Sequence, residues 1–285
     1  MAMTKFDTRR ISQRTAFSFL GLAALITVTP VFFIIIYTIV QGGGAISWDF
    51  LSQFPSQAGR AGGILPAIIG TFYLMLGTLV FALPIGVLAG IYLTEYARDN
   101  WLTRLINLAI VNLAGVPSIV FGLFGLSVFV LVFDFGLSLL SASLTLAAQA
   151  LAMVVTTSRE AILAVPREYR EGSLAIGVTK WQTVRHIVLP QAFPGIITGA
   201  VLAISRAAGE TAPILVVGAA FLLPGLPQSP FDQFMALPYH LYTVAAHVPN
   251  MPKETVWGVA LVLLVVVLSF DVLASVIRIK TRQRK

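Results

Sequence analysis

The sequence predicts an all-α integral membrane protein with six transmembrane helices. Of its 285 residues, 57% are hydrophobic and only 11% are charged, whereas about 25% of an average soluble domain is charged. The mean hydropathy is +0.88. A water-soluble globule with this composition has too little charge to cover its apolar surface, and disorder is excluded for the same reason. The third observation is a set of six long apolar runs.

Each apolar run has about 20 residues or more, the length that crosses the roughly 30 Å hydrocarbon core as a helix. The first run follows basic residues, but it is longer than a signal-peptide core and no small-residue cleavage site follows Gln41. We therefore predict that it is a retained helix. The predicted spans are residues 16–40, 65–93, 105–133, 138–157, 195–220 and 256–277.

Lysine and arginine concentrate on one side of these spans. Sixteen of the 19 lie in the N-terminal segment, between spans two and three, between spans four and five, or in the C-terminal tail. The positive-inside rule then places both termini in the cytoplasm, and the net charge of +7 reflects topology, not nucleic-acid binding. We predict a cytoplasmic segment (1–15), one transmembrane domain (16–277) and a basic cytoplasmic tail (278–285).

Several kinds of catalytic chemistry lack their motifs. The chain has no cysteine, and its three histidines lie far apart, so neither thiolate nor histidine metal sites are expected. No P-loop pattern occurs. We predict that the chain is not an enzyme, binds no metal and has no nucleotide site of its own.

Two outer loops, 41–64 and 221–255, are rich in proline, glycine and aromatic residues. They are typical either of plain connections or of a docking surface for an external protein, and the residues leave both readings open. Spans two and three carry many glycines and prolines, which predicts helices that bend or shift.

The cytoplasmic loop 158–193 is predicted to be a helix–turn–helix. Pro166 suits a first helical turn, and Gly177 suits a left-handed helix end. Thr179 and Gln182 have the spacing of a capping box, and the second helix is expected to stop at Pro190. The apolar stripe of this loop is too large for a solvated segment. A partner protein, the bilayer or the chain's own helices cover it: Leu174, Ile176, Val178, Trp181, Val184, Ile187 and Val188.

The same loop resembles the EAA loop of binding-protein-dependent ABC importer permeases, which reads E-A-A, three residues, glycine, nine residues, then I-x-L-P. Gly172 and Ser173 replace the two alanines, and both are small. The resemblance implies a coupling loop that inserts into a cytoplasmic ATPase subunit. The matching positions are Glu171, Gly172, Ser173, Gly177, Ile187, Leu189 and Pro190.

Three further segments, 63–71, 115–122 and 205–213, look like those of bacterial phosphate importer permeases, and the G-E-T-A-P of 209–213 looks like their A-type subunit. The resemblance implies the type I (MetI-like) fold in the bacterial plasma (inner) membrane. It also implies several partners: a C-type permease, two ATPase subunits and a periplasmic or extracellular phosphate-binding protein. ATP and Mg would be bound by the ATPase, so no cofactor is expected in this chain.

Arg206 and Glu210 lie four residues apart within the predicted fifth span, where they can pair on one helix face. A charge at mid-membrane costs about 2.5–3.5 kcal/mol on insertion scales. The pair therefore either neutralises itself or lines a polar path. Arginine suits phosphate because its planar fork donates two hydrogen bonds and stays charged. Ser205 and Thr211 are further candidates for the substrate path.

Alternatives remain at this point. The chain is also compatible with a permease for sulfate, molybdate or an organic solute, although the G-E-T-A-P segment favours phosphate. From other classes, an intramembrane enzyme acting on lipid phosphates needs more convergent polar groups than the spans supply, and a membrane scaffold does not explain the EAA spacing.

Overall fold

The computed structural model describes the backbone of residues 5–282, which is mostly helical. Part of the predicted N-terminal segment (1–4) and of the basic tail (283–285) lies outside the described residues. Helix α1 begins at Lys5 and continues into the first span without a break. The helices are α1 (Lys5–Gly42), α2 (Trp48–Ser52), α3 (Leu65–Ile91), α4 (Trp101–Ala114), α5 (Ser118–Gly125), α6 (Leu139–Leu163), α7 (Arg167–Ala175), α8 (Lys180–Thr183), α9 (Leu189–Gly209), α10 (Ala212–Leu215), α11 (Leu237–Ala246) and α12 (Lys253–Arg282).

Shorter elements extend or connect these helices. Three π-helical stretches continue α3, α5 and α8. A small antiparallel ribbon of two strands, β1 (Pro55–Ser56) and β2 (Ala61–Gly62), lies in the loop 41–64. The π-helical stretches are Tyr92–Tyr96, Leu126–Val132 and Val184–Val188.

Helices α3, α6 and α9 pack against one another and form the centre of the bundle. Helix α12 packs on α9, and α1 packs on α12. The apolar part of α1, within residues 15–45, is not buried by the rest of this chain. A helix that is apolar all round belongs in lipid or against another membrane helix.

The prediction of six spans is met when one bent pair counts as a span. Among the described residues, five helices are each long and apolar enough to cross a membrane, and α4 with the 118–132 segment forms a pair bent by 106°. The predicted third span, 105–133, is therefore not one straight helix. The break falls at Gly115–Pro117, where the proline has no N–H for the helix and restricts the residue before it.

The predicted fifth span, 195–220, also needs correction. Helix α9 ends at Gly209, and Glu210 has an extended backbone. Pro213 explains the break, because in a continuous helix its ring would clash with the carbonyl of Gly209 and one hydrogen bond would be lost. The rest of the predicted span, residues 210–220, is irregular apart from α10.

The predicted stop at Pro190 is wrong. Residues 180–209 form one continuous helical run, with Pro190 in the first turn of α9. The π-helical stretch Val184–Val188 directly precedes that turn. We attribute the continuity to this wider turn, which relieves the clash that a proline makes with the preceding helical turn.

The segment 210–236, here called the outer segment, folds back into the bundle. Its carbonyls accept hydrogen bonds from the first N–H groups of α6: Leu139 donates to Asp232 O (2.8 Å) and Leu140 to Pro230 O (2.7 Å). These donors have no partner within their own helix. Phe234 and Ile214 are fully buried. Irregular backbone at membrane depth is tolerated where protein buries it in this way.

The N-terminal end of α3 holds the last residues of this segment. Gly70 approaches the carbonyl of Met235 so closely that a Cβ would collide with it. Thr71 Oγ1 accepts a hydrogen bond from the Leu237 N–H at 2.8 Å. Just beyond, burial lowers the pKa of His240 to about 4, although a hydrogen bond to the Phe221 backbone opposes the shift. His240 is therefore neutral at pH 7.

Candidate functional site

A polar cluster of three side chains lies where α9 breaks. The carboxylate of Glu210 accepts a hydrogen bond from Gln149 Nε2 at 2.6 Å and a longer one from Arg206 Nε at 3.4 Å. The predicted pair of Arg206 and Glu210 is confirmed as a contact. Glu210 is nevertheless the first residue after α9, not a member of the helix.

Gln149 fixes the depth of this cluster. It is the eleventh of the 25 residues of α6, a helix long enough to span the hydrocarbon core. The carboxylate that it contacts therefore lies near the middle of the bundle. The break of α9 thus places the Arg206–Glu210 pair at mid-depth, where charged side chains pair with one another or face a polar cavity.

Arg206 contacts Glu210 through its Nε alone, and the rest of its guanidinium group is exposed in this chain. Its side chain is 63% exposed in this chain, whereas that of Glu210 is 16% exposed. No group that the structure describes forms a hydrogen bond with the terminal guanidinium nitrogens of Arg206. The cleft between the three side chains has a volume of about 20 Å³, enough for one water molecule. A larger anion would have to bind on the exposed side of Arg206.

The other two residues predicted to line the path, Ser205 and Thr211, differ in their surroundings. Ser205 is buried, and its hydroxyl donates to the carbonyl of Val267 on α12 at 3.4 Å. That contact directs Ser205 toward α12, away from the open side of Arg206. Thr211 is half-buried and stands just before α10, next in sequence to the Glu210 carboxylate.

Sequence reasoning missed Gln149. Its Oε1 is buried without a partner in the described part of the chain, while its Nε2 holds Glu210. The available signal was a single amide side chain in the middle of an apolar run, since such groups within membranes bond across helices. The partner was hidden because α6 and α9 are far apart in sequence.

The cytoplasmic loop has the predicted helix–turn–helix form. Gly177 has φ = +84°, the left-handed conformation that glycine adopts readily. The capping box between Thr179 and Gln182 is present. Ser173 Oγ and Thr183 Oγ1 are 2.8 Å apart and buried. This hydrogen bond joins α7 to α8 and holds the two helices as one unit.

The apolar stripe of the loop is divided between two surroundings. Val184 and Val188 are buried in a cluster with residues of α3, α6 and α9. Leu174, Ile176 and Trp181 remain 49%, 81% and 53% exposed. The chain's own helices thus cover only part of the stripe, and the exposed part forms an apolar face large enough to bind a partner.

The remaining residues of the EAA-like pattern differ in exposure. Glu171, Gly172 and Pro190 are exposed, and Ile187 and Leu189 are half-buried.

Among the described residues, no group of three or more His, Cys, Asp or Glu side chains is placed to hold a metal ion.

Together these features define a multi-pass membrane permease: a helix bundle of membrane-spanning length, a polar break at mid-depth and a helical loop with an apolar face at one end. The chain belongs to the family of binding-protein-dependent transport system inner membrane components, whose model matches residues 82–283. This family contains ABC importer permeases, so the predicted family and fold class are confirmed.

Similar proteins carry permease names. The chain is 33% identical over 251 residues to the probable ABC transporter permease protein YqgI of Bacillus subtilis, covering 86% of this chain and 85% of that protein. It is 34% identical over 287 residues to the phosphate transport system permease protein PstA 1 of Mycobacterium tuberculosis, covering 97% and 91%.

Solved ABC transporters share the fold. An inward-facing MetNI methionine transporter matches with a TM-score of 0.61 at 20% identity, over 76% of this chain and 97% of that one. A bacterial alginate transporter, solved in complex with its alginate-bound periplasmic protein, matches with a TM-score of 0.61 at 13% identity over 95% of both chains. At these identities the likeness supports the fold alone.

Proposed function

We propose that this chain is a permease subunit of an ATP-driven inorganic phosphate importer. The observation that carries the proposal is Arg206, an arginine at mid-depth whose terminal N–H groups are open, in a chain similar over most of its length to permeases named for phosphate transport. The guanidinium group donates paired hydrogen bonds to oxyanions and keeps its charge.

The neighbours of Arg206 suit transient binding. Glu210 offsets part of the positive charge, which limits affinity and allows the anion to leave. Gln149 holds Glu210 in place through its 2.6 Å hydrogen bond. Thr211 is positioned in sequence to add a hydroxyl donor. This arrangement binds an anion weakly enough for transport, because conduction requires both entry and release.

The exposed side of Arg206 implies that another chain completes the translocation path. One chain supplies half of the translocation path, and a second permease subunit of the C type faces it. A phosphate-binding protein delivers substrate from outside, at the outer segment and the neighbouring loops. This chain holds no cofactor, since ATP and Mg are bound by the partner ATPase subunits.

The cytoplasmic loop is the docking site for the ATPase. Its exposed Leu174, Ile176 and Trp181 supply the apolar contact, and Gly177 sets the turn between its helices. The buried hydrogen bond between Ser173 and Thr183 joins the two helices of the loop. Both termini then lie in the cytoplasm of a bacterial cell, on the same side as this loop.

Phosphate uptake by cells that lack this chain tests the proposal. We expect radiolabelled phosphate uptake to be lost in the deletion strain and restored by the wild-type gene, with unlabelled phosphate competing and sulfate or molybdate failing to compete. Restoration of sulfate or molybdate uptake in place of phosphate would identify another oxyanion as the substrate.

The orientation is tested by single-cysteine labelling, because the chain contains no cysteine. Ser56→Cys and Gln228→Cys lie at exposed positions in the two outer loops, and we expect an impermeant maleimide to label them in intact cells. Arg167→Cys, exposed at the start of α7, should react only after the membrane is opened. Labelling of Arg167→Cys in intact cells would reverse the orientation.

A further inference from the structure

A groove separates α3 from α4 on the surface of α6. Both helices pack against α6, but they make few contacts with each other. The groove holds a cavity of about 350 Å³ with an apolar and aromatic lining, to which Ala89 of α3, Ile110 of α4 and Val155 of α6 contribute. The cleft beside Arg206 is lined by other residues, so this groove is separate from the candidate site.

A second cavity, of about 240 Å³, continues the first toward the C-terminal end of α6. The two cavities share Ile110 and Val155. The second is also lined by Asn107, Arg159 and Glu160. Together they form one recess, here called the amphipathic groove, which is apolar at one end and charged at the other.

The charged end of the amphipathic groove lies at the depth of phospholipid headgroups. Gln149 is near the middle of the bundle, and Arg159 follows it by ten residues on α6, which is about 15 Å of helix. This distance is half of the roughly 30 Å hydrocarbon core. The apolar cavity lies between these two levels, since α6 lines it with Leu151, Ala152 and Val155. The groove therefore has the polarity profile of one bilayer leaflet.

The charged side chains of the groove have donors and acceptors to spare. Arg159 Nη1 donates to Asn107 Oδ1 at 2.8 Å, and no described group forms a hydrogen bond with its other guanidinium nitrogens. Glu160 is exposed, and its carboxylate has no hydrogen-bond or ion-pair partner in the part of the chain that the structure describes. A ligand that carries both a phosphate and an ammonium group matches this pair of opposite charges.

We propose that the amphipathic groove binds one phospholipid with an ammonium headgroup, of the phosphatidylethanolamine type. Arg159 donates to the phosphate, because a guanidinium group forms short, charge-assisted hydrogen bonds with phosphate oxygens. Glu160 accepts a hydrogen bond from the ammonium group, and an acyl chain fills the apolar cavity. Charged pockets between membrane helices recognise lipid headgroups in this way. Free phosphate would gain nothing from the apolar cavity and would be repelled by Glu160.

Another groove of this chain provides the comparison. A recess of about 320 Å³ between α3 and α6, bordered by Val80 and Leu139, is similar in size to the apolar cavity. No aspartate, glutamate, histidine, lysine or arginine lines it. An acyl chain in that recess would have no charged partner for its headgroup, so we expect no selectivity there.

Native mass spectrometry of the assembled complex tests the proposal, because one spectrum shows both the subunits and the lipids that remain bound. The delipidated complex is titrated with phosphatidylethanolamine or phosphatidylglycerol. We expect the wild type to bind the first lipid about tenfold more tightly at this site, since the second lacks the ammonium group that makes a charge-assisted hydrogen bond with Glu160. Excess inorganic phosphate should not displace the bound lipid.

Variants at the two ends of the groove should act differently. Arg159→Gln removes the phosphate donor, and Ala89→Phe fills the apolar cavity. Each should retain one phosphatidylethanolamine fewer per copy of this chain. Glu160→Gln should still bind lipid, but its affinities for the two lipids should agree within about twofold, because the charge that selects the ammonium group is gone.

Two control variants should bind phosphatidylethanolamine as the wild type does. Arg104→Gln removes a fully exposed arginine of α4 that pairs with Asp99, and Val80→Phe fills the recess without charged residues. Wild-type lipid binding in Ala89→Phe and Arg159→Gln would overturn the proposal, as would equal affinity of the wild type for the two lipids or displacement by inorganic phosphate. If Arg159→Gln fails to assemble, Ala89→Phe decides the outcome. An assembled wild-type complex that binds no lipid here would show that another protein chain covers the groove, which also overturns the proposal.

Discussion

Gly177→Val is expected to reduce phosphate uptake about tenfold or more and to weaken co-purification of the ATPase. Gly177 holds φ = +84° between α7 and α8, and a β-branched residue is strained there by about 1–3 kcal/mol. Such a penalty lowers the population of the correctly turned loop roughly 5- to 150-fold. The strain comes from the backbone conformation and not from a steric clash, since a Cβ at Gly177 meets nothing within 4 Å.

Gly136→Val is the matched control for this variant. Gly136 has φ = +65°, and a Cβ there would also meet nothing within 4 Å. It lies in the turn before α6, at the end of that helix opposite to the loop 158–193. The same backbone strain there should leave ATPase attachment unchanged. Wild-type uptake with retained ATPase in Gly177→Val would refute the assignment of the loop, and loss of the ATPase in both variants would indicate general misfolding.

Much of the fold follows from local signals in the sequence. Long apolar runs give the spans because the bilayer sets their length. The turn at Gly177 and the capping box of Thr179 depend on neighbouring residues alone, so they are predicted correctly. The effects of Pro117, Pro190 and Pro213 are harder to predict, because a proline breaks, bends or begins a helix according to its surroundings.

Less of the candidate site than of the fold can be predicted from local sequence signals. Arg206 and Glu210 are found because charges within a span are costly and four residues bring them together. Gln149 is missed, since its contact with Glu210 joins residues 61 positions apart. The pairing of Arg159 with Asn107 is missed for the same reason, across 52 positions. Contacts of this kind arise from helix packing, which the order of apolar and polar residues does not specify.

The polar cluster gives the second large expected effect. Arg206→Gln should reduce phosphate uptake by about tenfold or more, because a neutral amide replaces a charge-assisted donor of roughly 1.5–3 kcal/mol. The ATPase should still co-purify, since Arg206 is 63% exposed and its removal leaves no cavity in the core. Lys at this position is the informative comparison: it restores the charge without the planar fork, so uptake should recover only in part.

The double variant Arg206→Gln/Glu210→Gln separates a transport role from a structural one. If the two charges only neutralise each other, Arg206→Gln leaves Glu210 without its counter-ion, and the double variant should regain both assembly and uptake, because no unpaired charge remains. We expect a different result. The double variant should assemble with the ATPase, because an amide at 210 can still accept the hydrogen bond from Gln149. It should nevertheless transport phosphate as poorly as Arg206→Gln alone, because two neutral amides attract an anion far less than one open guanidinium group. Near-normal uptake in the double variant would remove Arg206 from the path and leave the ion pair as a packing feature of the α9 break.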